Sequence, residues 1–112
     1  MRFKVLKESL EDELIQVDKE RKIQLQEVRD ILLEQGFIEQ RTLNGISFTK
    51  STDDENKIVK AQMYIDVTNY SYSCYISTTD ETNVNTTNFS SKGDENNLVT
   101  AARQLVFQLN GI

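Results

Sequence analysis

Apolar and polar residues alternate along two stretches near the middle of the chain. Val59, Ala61, Met63, Ile65 and Val67 are separated by Lys60, Gln62, Tyr64 and Asp66. After Thr68-Asn69, the residues Tyr70, Tyr72, Cys74 and Ile76 are separated by Ser71, Ser73 and Tyr75. A period of two sends successive side chains to opposite faces of a strand, so the two stretches predict a hairpin with one buried face. A two-residue turn at Thr68-Asn69 pairs Val67 with Tyr70, Ile65 with Tyr72, Met63 with Cys74 and Ala61 with Ile76. That register keeps every apolar residue on one side, as cross-strand pairing requires.

The first third follows a helical period instead. Leu10, Leu14, Val17, Leu25, Val28 and Leu32 recur at steps of three or four once Arg21 is counted as the one charged place in the stripe. Because the period carries through the charged run Asp18-Lys19-Glu20-Arg21-Lys22, one helix over about residues 9 to 35 is predicted, roughly 40 Å long. The alternative is a break near Asp18 that folds the N-terminal half back as a separate helix. Ser9 is suited to cap the start, with Asp12 three positions on. Gly36 is suited to a left-handed stop, and Phe37 to folding back on the last turn.

Asn44-Gly45 between Phe37–Leu43 and Ile46–Lys50 signals an earlier hairpin. Two registers are open. A two-residue turn pairs Leu43 with Ile46 and Arg41 with Phe48, whereas a bulged three-residue turn puts Ile38, Ile46 and Phe48 on one face. Residues 51–57 read as a loop. From Thr78 to Asn97 the chain is polar except for Val84 and Phe89. A loop that long is uncommon in a small domain, so a fifth, edge-like strand near Asn83–Phe89 is one reading and a loop the other. The end is helical: Leu98, Ala101, Ala102, Leu105 and Leu109 form a stripe, with Val106 beside it and Asp94 or Ser91 as the cap. Asn110-Gly111-Ile112 repeats the stop at Gln35-Gly36-Phe37.

These elements predict one α+β domain over residues 1–112. A long N-terminal helix precedes an antiparallel meander of four or five strands, and a C-terminal helix packs on the apolar sheet face. The order helix, strands, helix resembles that of double-stranded RNA-binding domains. The resemblance implies a basic cluster at the start of the second helix. Here that position reads Lys92-Gly93-Asp94-Glu95-Asn96-Asn97, so RNA binding is not expected.

Composition narrows the chemistry. The 112 residues include no histidine, tryptophan or proline and a single cysteine, and 18 acidic against 13 basic residues leave a net charge of -5. Cys74 has no histidine to activate it, and its place between Tyr72 and Ile76 on the apolar face predicts a buried, inert thiol. Asp53-Asp54-Glu55 lacks the alternating ligands and the glycine of a calcium loop. No cofactor, metal or catalytic group is expected. Three Asn-x-Ser/Thr matches, at Asn69, Asn85 and Asn88, read as products of an Asn/Ser/Thr-rich segment. The first residues lack the apolar run of a secretory signal and no stretch is apolar enough to span a bilayer, so a cytoplasmic place without membrane contact is expected.

What remains is surface. Tyr64 and Tyr75 are expected on the solvent face of the main hairpin, where tyrosine offers large contact area at low entropic cost. Asp53, Asp54, Glu55, Asp80 and Glu81 are candidates for an acidic patch toward a basic partner, and Asp94-Glu95 is a third acidic pair. Leu10, Leu14, Val17 and Arg21 are candidates for a homodimer interface on the first helix, whose N-terminal half extends past the sheet. The expected function is non-enzymatic protein binding by an adaptor, inhibitor or regulatory subunit, without direct contact to nucleic acid. Two alternatives stand beside it. One is an acidic nucleic-acid mimic of the antirestriction or anti-CRISPR kind found in phages and plasmids. The other is a small carboxylate-based enzyme using Tyr64 or Tyr75.

Overall fold

The computed structural model describes residues 19–54 and 56–112, with Asp54 as backbone only. Helix α1 covers residues 19–34. Strands follow at Ile38–Arg41 (β1), Gly45–Asp54 (β2), Lys57–Asp66 (β3), Ser71–Asp80 (β4) and Asn85–Asp94 (β5); a 3₁₀ turn at Glu95–Asn97 then leads into helix α2, Leu98–Asn110. The strands form one antiparallel meander in chain order, β1-β2-β3-β4-β5.

Both helices pack on one face. Ile46, Phe48, Val59, Ala61, Met63, Ile65, Cys74 and Ile76 from the sheet meet Val28 and Leu32 of α1 and Leu98, Ala101, Ala102 and Leu105 of α2 in a single core. The predicted period-two face, the described part of the first helical stripe (Leu25, Val28 and Leu32) and the stripe of α2 thus converge on one layer. Phe48, Met63, Ile65 and Ile76 are fully buried, each removing side-chain surface that stabilises the fold by about 1.5–3 kcal/mol.

Helix α1 stops where the sequence places the stop. Gly36 has φ +89°; the Phe37 N–H donates to the Leu32 carbonyl at 3.0 Å and the Gly36 N–H to Leu33 at 3.1 Å. These are the two bonds of a Schellman closure. Lys50 reaches from β2 to donate to the Gln35 carbonyl at 2.6 Å, satisfying another free acceptor at this end. The expected echo at the C-terminus does not form: Gly111 is right-handed, with φ -84°. It needs no left-handed residue, because the Gly111 and Ile112 N–H groups close short turns onto Gln108 and Leu109. The predicted start of the first helix, residues 9–18 with its Ser9 cap, lies outside the described residues.

The main hairpin keeps the predicted register: Ile65 faces Tyr72, Met63 faces Cys74 and Ala61 faces Ile76. Its connection is longer than expected. Pairing ends at Asp66–Ser71, and Tyr70 leaves the strand with φ +54°. Asp66 and Asn69 hold the turn, accepting from the backbone N–H groups of Thr68 and Ser71.

In the first hairpin neither expected register holds. Arg41 pairs with Ile46, Glu39 with Phe48 and Ile38 with Thr49. Ile38 therefore points away from the core and is 69% exposed. The charge on Glu39 explains the choice: turned to the helix side, its carboxylate accepts from Arg29 Nε of α1 at 2.6 Å. Thr42 closes the turn by exchanging bonds with Gly45.

The two presumed loops are mostly strand. β2 runs on to Asp54, so residues 51–54 pair with Lys57–Lys60 instead of forming a loop. The polar segment after Thr78 holds the fifth strand, but displaced to Asn85–Asp94 and ten residues long. A bulge at Asn88 between the pairs Ile76–Phe89 and Ser77–Thr87 restores Phe89 to the core side. Of the two proposed caps for the last helix neither caps α2, whose N-cap Asn97 makes no side-chain bond; Asp94 instead caps the 3₁₀ turn before it, accepting from the Asn96 N–H.

Candidate interaction surface

The sheet face opposite the helices is open among the described residues. Its rows follow from the registers. Ile38, Thr49, Gln62, Tyr75 and Ser90 lie side by side across all five strands. Gln40, Ser47, Tyr64, Ser73 and Lys92 form the next row. Ser51, Lys60, Ser77 and Thr87 form a third. A face so rich in Ser, Thr and Gln bears hydroxyls and amides that hydrogen-bond either water or a partner.

Tyr64 and Tyr75 stand on this face at diagonal positions of adjacent strands, as the alternation predicts. Tyr75 is 38% exposed. Tyr64 is half-buried because its ring lies over Gly45: a β-carbon there would sit 2.6 Å from Tyr64 Oη. The glycine makes room for the ring, and the ring covers the glycine backbone. Gln62 is pinned between them, its Nε2 donating to Ser47 Oγ at 2.9 Å. Two shallow depressions flank the tyrosines. One, of about 400 Å³, is lined by Tyr64, Asp66, Ser71, Ser73 and Lys92. The other, of about 320 Å³, is lined by Ile38, Thr49, Lys60, Gln62 and Tyr75.

The acidic candidates divide between the two ends of the sheet. Asp54 pairs with Lys57, and Lys57 with Asp80, so these three lie in one row at one end. Asp53 and Glu81 adjoin them in sequence, while Glu55 lies outside the described residues. Asp94 and Glu95 sit at the far end, where Asp94 pairs with Ser71. Two of the three acidic pairs therefore gather, with a lysine between them, and the third does not.

Several charged candidates are engaged within the fold. Asp80 Oδ1 accepts from the Thr82 N–H, the Thr82 hydroxyl and the Val84 N–H, organising the β4–β5 turn. The Thr82 hydroxyl first, and then these N–H groups, hold its carboxyl below the usual range. Arg21 Nε donates to Glu95 at 2.8 Å, and its guanidinium lies 4.0 Å from the centre of the Tyr70 ring. This bond lowers the Glu95 pKa. Arg21 thus ties α1 to the end of the sheet, which explains a charge inside an apolar stripe. It also places Tyr70, expected in the core, half-buried in the turn beneath the guanidinium. Leu10, Leu14 and Val17 lie outside the described residues.

Cys74 is buried, and desolvation pushes its thiol up to about 12. Among the described residues no group of three Cys, Asp or Glu side chains is placed to hold a metal ion, and no helix is long and apolar enough to cross a membrane.

The reach of the open face was not legible in the sequence. Ser51 and Lys92 belong to it only because β2 and β5 continue through segments whose Asn, Asp and Ser content signals loops. The alternation on β3 and β4 was the one available signal for its centre. No protein-family profile matches this chain, and neither a curated protein nor a solved structure is found similar to it.

Proposed function

We propose that this chain is a non-enzymatic protein-binding module, an adaptor, inhibitor or regulatory subunit, that seats its partner on the open face of its sheet. One observation carries the reading: rows of mostly polar residues, exposed or half-buried apart from the buried Ser47 and centred on Tyr64 and Tyr75, cross all five strands, while both helices pack on the other side. Hydrogen-bonded strands hold such a face rigid, so little entropy is lost when it binds. Aromatic anchors surrounded by groups able to hydrogen-bond are the usual make-up of recognition surfaces. Tyr75→Ala, with the charge reversal Lys60→Glu, is expected to abolish capture of the partner from host extract while leaving the thermal melt unchanged. Unchanged capture contradicts the reading.

A second reading rests on the acidic end. Asp53, Asp54, Asp80 and Glu81 favour a basic partner there, which is the chemistry of a nucleic-acid mimic. It predicts binding that weakens steeply with salt and survives Tyr75→Ala. The first helix offers a separate route to a homodimer through Leu10, Leu14 and Val17, tested by the oligomeric state of Leu14→Glu.

A further inference from the structure

The two edges of the sheet are built differently. β1 is four residues long and carries Glu39 and Arg41, with Glu39 turned inward and bound to Arg29. Short length and charge, inward-pointing charge included, are how sheets guard an edge against further pairing. β5 is ten residues long and, among the described residues, pairs with β4 alone. From Asn85 to Ser91 it has no charge and no proline. In the described sheet the only comparable neutral run is Ser71–Thr79 of β4, which has a strand on each side. In this run β5 is therefore as free of charge as the interior strand β4 although it lies at an edge, with the bulge at Asn88 as its one irregularity, and its outer backbone N–H and C=O groups have no strand partner among the described residues.

We propose that this edge pairs with the β5 edge of a second copy of the chain, antiparallel across a two-fold axis, making one continuous sheet from two. Charge selects the occupant. Two molecules of net charge -5 repel one another, and like charges directly opposite on paired strands are destabilising. The neutral run removes that repulsion where the two backbones meet. The antiparallel order also carries Lys92 of each copy toward the Asp80-Glu81 end of the other. Asp94 travels with it, but its carboxylate is turned to the Asn96 N–H. An isologous pair of this kind closes on itself and leaves no further edge of its type. The inference does not depend on what binds the open face.

The test is sedimentation velocity on the full chain with charges placed on the edge. Thr87 and Ser90 are both exposed on the open-face side of β5, so Thr87→Lys with Ser90→Lys, and Thr87→Glu with Ser90→Glu, preserve the fold, as circular dichroism verifies. Wild type is expected to dimerise below ~100 μM, in the range of weak specific association. Each doubly substituted variant is expected to dimerise about tenfold or more weakly, because identical charges meet at the axis. An equimolar mixture of the lysine and glutamate variants is expected to regain the dimer. A wild-type monomer at ~100 μM overturns the proposal. So does a dimer indifferent to both variants, or a dimer lost only on Leu14→Glu, which assigns the interface to the first helix.

Discussion

Replacing Gly45 by alanine adds one methyl group where the sheet has no room for it. The new β-carbon would overlap the Ile65 carbonyl oxygen and lie 2.6 Å from Tyr64 Oη. The tyrosine ring can swing into solvent, but the carbonyl belongs to β3, which is held between β2 and β4, and Ile65 is fully buried. Relief must come from β2 lifting away at its start. That disturbs the Gly45–Asp66 pair, the bonds between Thr42 and Gly45, and the 3.0 Å bond from the Val67 N–H to the Asn44 carbonyl. Overpacking costs about 1–3 kcal/mol, and one or two lost hydrogen bonds add about 0.5–1.5 kcal/mol each. Gly45→Ala is thus expected to destabilise by about 2–5 kcal/mol. For a domain of this length the unfolding entropy makes each kcal/mol worth about 4 °C, so the melting temperature falls by roughly 8–20 °C. Gly93→Ala is the control. Its β-carbon would meet only the far end of the half-buried Tyr72 ring, at 2.8–3.0 Å, on an edge strand free to recede. A cost of about 1 kcal/mol or less is expected there. Urea unfolding followed by circular dichroism measures both. A Gly45→Ala protein within about 0.5 kcal/mol of wild type, or Gly93→Ala as the costlier change, refutes the packing argument.

Met63→Ala empties the centre of the core and is expected to cost about 2–5 kcal/mol, against less than about 0.5 kcal/mol for Lys60→Ala on exposed surface; equal losses in urea unfolding contradict the assignment of faces. The Cys74 thiol, held at about 12 against an ordinary value of 9.0, stays protonated in the folded chain while the unfolded chain ionises. Its contribution is therefore intact below pH 9 and lost as pH rises toward 12. Cys74→Ala is expected to flatten that alkaline decline, and native protein at pH 8 is expected to react with a thiol reagent only as fast as it unfolds. Glu95 has the opposite sign: Arg21 lowers its pKa, so its contribution is present above the ordinary glutamate range and disappears as pH falls through the lowered value. Acid titration of Glu95→Gln is expected to show a shallower loss of stability than wild type.

The elements that could be read from the sequence are those whose side chains repeat with a fixed period. Alternation from Val59 to Ile76 specified a register because a one-residue slip would bury Lys60 and Gln62. The α2 stripe and the Gly36 stop were legible for the same local reasons. The first hairpin was not, because its register depends on Glu39 meeting Arg29, a contact between residues on different elements. β5 was obscured by its own composition: Asn, Ser and Thr suit turns and solvent-facing edge strands alike, and only Phe89 marked a core side. The candidate surface follows the same division. Tyr64 and Tyr75 came from the alternation, whereas the gathering of Asp54, Lys57 and Asp80 needed the sheet to be assembled first.

The central claim, that a protein partner docks on the open sheet face, is tested most directly by site-specific photo-crosslinking in native host extract. A photoreactive residue is placed at Tyr75 in one protein and at Arg103, exposed on α2, in another. The account predicts one discrete crosslinked protein from position 75, lost when Lys60→Glu is added, and none from position 103. Crosslinking to the same protein from position 103, or none from position 75 while the chain still captures its partner, contradicts it.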